Sequence, residues 1–236
     1  MLELLFLGPA QVRVNGEAAA FKTRKALVLL AYLALEGGAQ GRDRLAGLFW
    51  PDSEPEAGRA SLRNTLVYLR EGLGEAADRL HADRSSVSLR LQPGDWLDVR
   101  ELEEAARAVR PGVAVPADGG RLGDAARLAG GEFLLGVEVE EGELDEWLSA
   151  RRSQARRWTE MLLSRLIQSH MEAGDFPAAV EAAERWVTLD NTSEEAWRSL
   201  ASAHHAAGQR SAAREALREC RRVLQEELGA TPAPET

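Results

Sequence analysis

One cysteine, Cys220, stands in 236 residues. It has no partner for an internal disulfide, so the chain reads as suited to a reducing compartment, the cytoplasm. Its place in a helical pattern predicts a buried, inert thiol. Long apolar runs are scarce as well: none approaches the roughly 20 residues that a bilayer span requires. The opening MLELLFLG has neither a positive leader nor a cleavage site, so no membrane or export role is expected. Catalytic signatures are missing too. There is no G-x-S-x-G elbow, no P-loop, no dinucleotide fingerprint and no H-E-x-x-H. The glycines of LAGGEFLLG are too irregular to cradle a phosphate, and a pair such as Glu140 and Glu141 reads as solvated surface. The expectation is a protein that is not an enzyme and takes no cofactor or metal.

A surplus of positive charge is also absent. The chain has 29 Lys+Arg against 38 Asp+Glu, a net charge of -9, the wrong sign for neutralising phosphates. The distribution matters more than the sum. Residues 1–95 carry 12 of each sign, so the whole excess of acid lies in the remaining 141 residues, with 17 basic and 26 acidic side chains. Nucleic-acid binding by the first part therefore needs local clustering. With 44% hydrophobic and 28% charged residues, the chain has an ordinary globular composition and length enough for one or two cored domains.

The chain opens on short apolar strands. LELLFLG is short and apolar, and VRVNGEAAAF places Asn15-Gly16 between extended segments, a two-residue hairpin signal. Thr23 is placed to cap a helix that ends at Gly37-Gly38 and presents Leu27, Leu30, Ala31 and Ala34 on its apolar side. A second short helix, GRDRLAGLFW, stops at Pro51. The loop PDSEPE leads to a third, EAGRASLRNTLVYLREGLG. DRLHADRSSVSLRL then alternates at Val87, Leu89 and Leu91 around a polar turn near Arg84 to Ser86, a hairpin pattern. Strands, helix, helix, turn, helix and hairpin are the order of a winged helix, in which the third helix enters the major groove and the hairpin follows the backbone or minor groove.

The third helix has two characters. Leu62, Leu66, Leu69 and Leu73 recur at i, i+4, i+7 and i+11, a stripe that must meet a core. Asn64, Ala60, Val67 and Glu71 fall opposite, with Arg63, Ser61 and Tyr68 on the flanks. Those types hydrogen-bond base edges and phosphates, where a merely solvated face would carry Lys and Glu pairs. Arg59 and Arg70 lie nearer the stripe, which points to packing or ion pairing.

From Trp96 onward the pattern is almost all helical, broken by a turn-rich loop at PGVAVPADGG, residues 111–120. The stretch from Gly142 to Gly174 reads as one long helix or two. Leu166 and Leu200, His170 and His204, Gly174 and Gly208, and Ala179 and Ala213 are each 34 residues apart, the tetratricopeptide period. The two histidines then take core or interface positions, and Trp147, Trp158, Trp186 and Trp197 are core anchors. Arg151, Arg152, Arg156 and Arg157 in ARRSQARRW are spaced to gather an anion or an acidic partner, or simply to solvate a helix face. The fold class expected is mainly α with a small β component: a winged helix over 1–95, then an all-α tetratricopeptide-like domain over 96–236.

In order along the chain, LGPAQVRVNG, RKALVLLAYLAL, DRLAGLFWPD, GRASLRNTLVYLREGLG, GEFLLG, EWLSARR and the closing EELGATPAPET resemble the words of the SARP-type regulators. Residues 1–95 resemble their OmpR-type winged helix, and 96–236 their bacterial transcriptional activator domain. The resemblance implies a sequence-specific activator that binds direct repeats in double-stranded promoter DNA and recruits RNA polymerase. It implies base or phosphate contacts for Arg63, Asn64 and Tyr68, with Ser61 and Thr65 nearby. Arg84 would be a wing contact, Arg24 and Lys25 phosphate contacts, and the loop Pro51 to Glu56 the meeting point with polymerase. The helical domain would form a homodimer, contact polymerase or sense a small-molecule effector. Gly58 stands where the family word has alanine, and Glu71 departs from a basic recognition face. Two other readings remain open: an adaptor whose winged helix binds protein, and the front of a longer regulator with an ATPase behind it.

Overall fold

The computed structural model describes residues 1–109, 123, 124, 126, 128, 130–139, 142–234 and 236. The loop expected at 111–120 lies outside the described residues. Two compact units emerge. One comprises Met1–Arg100 with Gly130–Gln154, the other Glu101–Ala129 with Ala155–Thr236. Residues 130–154 thus cluster with the N-terminal unit, although the sequence division at 95/96 groups them with the second.

In the N-terminal unit β1 (Leu2–Leu5) and β2 (Gln11–Val14) pair antiparallel, with Leu4 opposite Val12. Alternation sends Leu2 and Leu4 into the core. The turn to β3 (Glu17–Ala18) puts Asn15 at φ 53 and Gly16 at φ 85, the left-handed pair of a tight hairpin. On the other edge β7 (Trp96–Leu97) runs parallel to β1. Trp96 therefore begins a strand, a correction to the helical reading from that residue onward. The cause is a latch of two aspartates. Asp95 Oδ1 accepts the Leu2 N–H at 2.7 Å, and Asp98 Oδ2 accepts those of Phe6 and Leu7 at 2.7 and 2.8 Å.

Three helices follow the first sheet. α1 (Arg24–Glu36) is capped by the Thr23 hydroxyl, which accepts the Ala26 N–H, and ends at Gly37. α2 (Arg42–Phe49) stops before Pro51, and α3 (Pro55–Leu73) starts with proline in its first turn, where the missing N–H costs nothing. Leu62, Leu66, Leu69 and Leu73 are all buried, as the stripe predicts. Next, β5 (Leu80–Ala82) and β6 (Ser86–Leu89) form the wing, with β4 (Gln40–Gly41) as third strand in the order β4-β6-β5.

The segment 130–139 returns to β1. Gly8 donates to the Glu132 carbonyl and Leu134 to that of Phe6. The Phe133 ring stands edge-on to Phe6 at 6.4 Å and to Trp147 at 5.9 Å. Gly131 has φ 153, and a Cβ there would lie 3.3 Å from Gly8 Cα, so two glycines let the backbones touch.

The second unit takes in α4 (Asp98–Ala108) from Glu101 and α5 (Glu143–Ala173) from Ala155; α5 is one unbroken helix of 31 residues. α6 (Phe176–Leu189), α7 (Glu194–Ala206) and α8 (Arg210–Leu228) then pack in sequence. The 34-residue period is visible atom by atom. Gly174 at φ 73 and Gly208 at φ 77 turn the chain alike. His170 and His204, expected at core or interface positions, lie at the turn between paired helices rather than in the core. Both are half-buried, and their rings reach the residue that opens the next helix: Asp175 at 4.0 Å, Gln209 at 2.7 Å. Trp186 and Trp197 are core anchors, whereas Trp147 and Trp158 are half-buried. Cys220 is buried, and burial pushes its thiol up. No helix among the described residues is long and apolar enough to cross a membrane.

Candidate nucleic-acid interface

The buried leucines fix the rotation of α3, and rotation decides what it presents. Arg63 and Asn64 are exposed, and neither side chain has a hydrogen bond or ion pair with another described residue. Val67 is 45% exposed beside them. Tyr68 is half-buried with Lys22 Nζ 5.1 Å from its ring centroid, and the same ammonium pairs with Glu71 at 2.7 Å. The anion that departs from the family pattern is thereby neutralised by a cation from the loop before α1.

Thr65 corrects the list of contacts. It is 5% exposed, and its hydroxyl donates to the Ser61 carbonyl at 2.9 Å. A short polar side chain can satisfy itself on its own helix and go inward. Ser61 itself is half-buried. Lys25 is a second correction. Its ammonium donates to the Phe49 carbonyl at 3.0 Å, at the end of α2, and lies 5.4 Å from the Trp50 ring centroid. That is a helix C-terminal cation, not a free phosphate ligand. Arg24, one residue earlier, is exposed and has no partner among the described residues.

Arg63 and Arg84 meet across an open concavity of about 740 Å3, which Arg42, Asp43, Arg59, Ala82 and Asp83 also line. Four guanidinium groups from the start of α2, from α3 and from the wing thus converge against two carboxylates. Both carboxylates are already engaged. Asp43 pairs with Arg59 at 2.7 Å, the ion pair expected from the place of Arg59 near the stripe. Asp83 accepts the backbone N–H groups of Ser85 and Ser86, both at 2.7 Å, and both hydroxyls. Those donors, led by the two backbone amides, hold its carboxyl down at about 2. Arg42 donates to the Asp83 carbonyl at 2.8 Å, so the start of α2 holds the wing turn. Arg84, in that turn, is exposed and free of internal partners among the described residues.

Sequence reasoning missed Arg42 and Lys22. Each acts through elements distant in sequence, so only a GRDR-like basic opening to α2 hinted at the first. Asp83 is the side chain that shapes the wing, and Asp83→Ala removes four acceptor contacts from a turn whose Asp83, Arg84 and Ser85 are exposed. The expected outcome is an unchanged thermal midpoint but faster amide exchange at Ser85 and Ser86, measured by nuclear magnetic resonance.

The four arginines of ARRSQARRW do not gather. Arg151 pairs with Glu36 at 2.6 Å, and Arg152 pairs with Glu132 at 2.8 Å while donating to the carbonyls of Phe133, Leu134 and Val137. Both are internal ties of the N-terminal unit, which corrects their assignment to an anion site. Burial raises the Glu36 carboxyl, but donation from Arg151 and Trp147 outweighs it and holds the group low. In the second unit Arg156 lies 3.5 Å from Asp190, and Arg157 is exposed.

The N-terminal unit is a winged helix whose α3 turns Arg63 and Asn64 outward without side-chain partners among the described residues, and helical pairs with a 34-residue period follow it along the chain. The chain belongs to the bacterial transcriptional activator domain family, which matches residues 95–236, and is a SARP-type transcriptional regulator. It is similar to the transcriptional regulatory protein MoaR1 of Mycobacterium bovis and of Mycobacterium tuberculosis. Each is 24% identical over 236 residues, 97% of this chain and 74% of the relative. Its fold matches that of Mycobacterium tuberculosis EmbR, solved in complex with a low-affinity phosphopeptide. The TM-score is 0.69 at 22% identity, over 99% of this chain and 62% of the solved one, so the chain spans about three fifths of that relative.

Proposed function

We propose that this regulator binds double-stranded promoter DNA sequence-specifically through α3 and activates transcription in the cytoplasm by recruiting RNA polymerase. One observation carries the reading: Arg63 and Asn64 stand outward on a helix bolted down by four leucines, with no side-chain partner among the described residues. Asn64 suits the bidentate edge of adenine and Arg63 a guanine edge or a phosphate. Arg84 and Arg42 border the same concavity and would grip the backbone, with Arg24 at the start of α1 as a further phosphate contact, while Arg59 stays paired with Asp43. Neutrality over residues 1–95 is an average over the unit: Asp43 is paired with Arg59 and Glu71 with Lys22, while Arg63, Arg84 and Arg24 have no internal partner among the described residues. Polymerase would meet the loop Pro51–Glu56, whose side chains are all exposed. The helical part, 96–236, would form a homodimer, contact polymerase or bind an effector.

A gel-shift titration of the full chain across salt concentration tests the reading. With about four phosphates neutralised, log K should fall with log salt at a slope of about -3.6. Arg63→Ala should reduce that slope by about 1. Asn64→Ala should flatten base preference at one position by about 1–3 kcal/mol. Equal, weak binding of promoter and random duplexes, untouched by Arg63→Ala, would replace this reading with an adaptor whose winged helix meets protein.

A further inference from the structure

We infer that Val67 is a specificity-determining residue that reads the 5-methyl group of a thymine; the inference rests on the DNA-binding reading above and names part of the sequence read. Val67 is 45% exposed in the middle of the outward face of α3, three residues after Asn64 and four after Arg63. Nothing about the helix itself calls for it. A β-branched side chain is a poorer helix former than Ala, Lys or Glu at an exposed mid-helix position, and an apolar tip gains nothing from water. The four leucines already supply the helix's grip on the core, on the opposite side.

The neighbours narrow what the valine can meet. On its C-terminal side Lys22 is held over Tyr68 and paired with Glu71, which closes that end of the face. On its N-terminal side Arg63 and Asn64 are polar groups without a side-chain partner among the described residues. The exposed strip is therefore polar, polar, apolar. In the major groove the thymine methyl is the apolar feature that a small branched side chain can cover. Three to four residues of helix advance about 4.5–6 Å, and base pairs stack at about 3.4 Å. The thymine met by Val67 thus lies within about two base pairs of the base met by Asn64.

The test begins with duplexes enriched by the full chain from a random-sequence pool. Each thymine in the enriched site is then replaced singly by uracil, which removes the methyl and keeps every hydrogen-bonding edge. Uracil should weaken binding about fourfold at one thymine, the ratio for burying one methyl-sized group. That thymine should lie within two base pairs of the position whose preference Asn64→Ala relaxes. In Val67→Ala the thymine-to-uracil ratio at that position should fall to about one, with an unchanged thermal midpoint because the site is exposed. An enriched site in which no uracil matters, or in which Val67→Ala keeps the ratio, overturns the inference and leaves DNA reading intact. A pool from which no sequence is enriched overturns both.

Discussion

Asp98→Ala is expected to lower stability by about 3 kcal/mol at pH 7 and by more at pH 4.5. The carboxylate is 2% exposed and accepts three backbone N–H groups, those of Phe6, Leu7 and Val99. Alanine leaves three buried donors without acceptors, at about 1–3 kcal/mol each. Against that stands the relief of removing a buried charge. Burial pushes the Asp98 carboxyl up to about 6 despite the three donors that favour its anion. Relative to an unfolded value of 3.8, that shift amounts to about 3 kcal/mol of penalty on the ionised form.

The sign follows from the raised value. Stability from this group is fully present below about pH 4, falls as pH rises to about 6, and stays flat above. Asp95 works the other way: its donors hold it low, so its contribution is present above the ordinary carboxylate range and is lost only in stronger acid. Between pH 4.5 and 6.5 Asp98 therefore gives the larger part of the slope, with Glu160, whose carboxyl burial also raises, acting in the same direction. Urea midpoints at pH 4.5 and 7 check this: the wild type should gain stability on acidification across that window, and Asp98→Ala should lose the larger part of that gain. A penalty for Asp98→Ala that shrank on acidification would refute the account.

What the sequence made legible has a physical pattern. The rotation of α3 could be read because four leucines at helical spacing leave one orientation that buries them all. The β2–β3 turn could be read because Asn-Gly alone favours two successive left-handed residues. The tetratricopeptide turns could be read because Gly174 and Gly208 repeat one backbone demand 34 residues apart. Failures came where residue type was taken as destiny. Thr65 belongs to a polar type that reads bases, yet its hydroxyl bonds its own helix and it faces the core. Arg151 and Arg152 form a charge run, yet Glu36 and three carbonyls hold them. Those partners lie 115 and between 15 and 19 positions away, and no local period encodes such contacts. The same holds for the family word GEFLLG, which marked the family without saying where it packs.

That last segment carries the other large effect expected. Phe133→Ala should cost about 3–5 kcal/mol, the usual cost of emptying a buried phenylalanine site. The ring is 1% exposed, with edge contacts to Phe6 and Trp147. Its backbone pairs with Leu7, and its carbonyl accepts from Arg152 at 3.2 Å. The surroundings cannot easily collapse, because the loop is tied to its neighbour by backbone bonds on both sides of the ring, from Gly8 to the Glu132 carbonyl and from Leu134 to that of Phe6. At about 2–4 °C per kcal/mol for a chain of this size, the thermal midpoint should drop by about 6–20 °C. Where the damage appears is the sharper observation. Since 130–154 packs with the N-terminal unit, hydrogen exchange should quicken in peptides covering β1 and α1 and stay unchanged in α6 to α8. Faster exchange confined to 155–236 would mean that this segment supports the helical repeats instead, and that the winged helix stands without it.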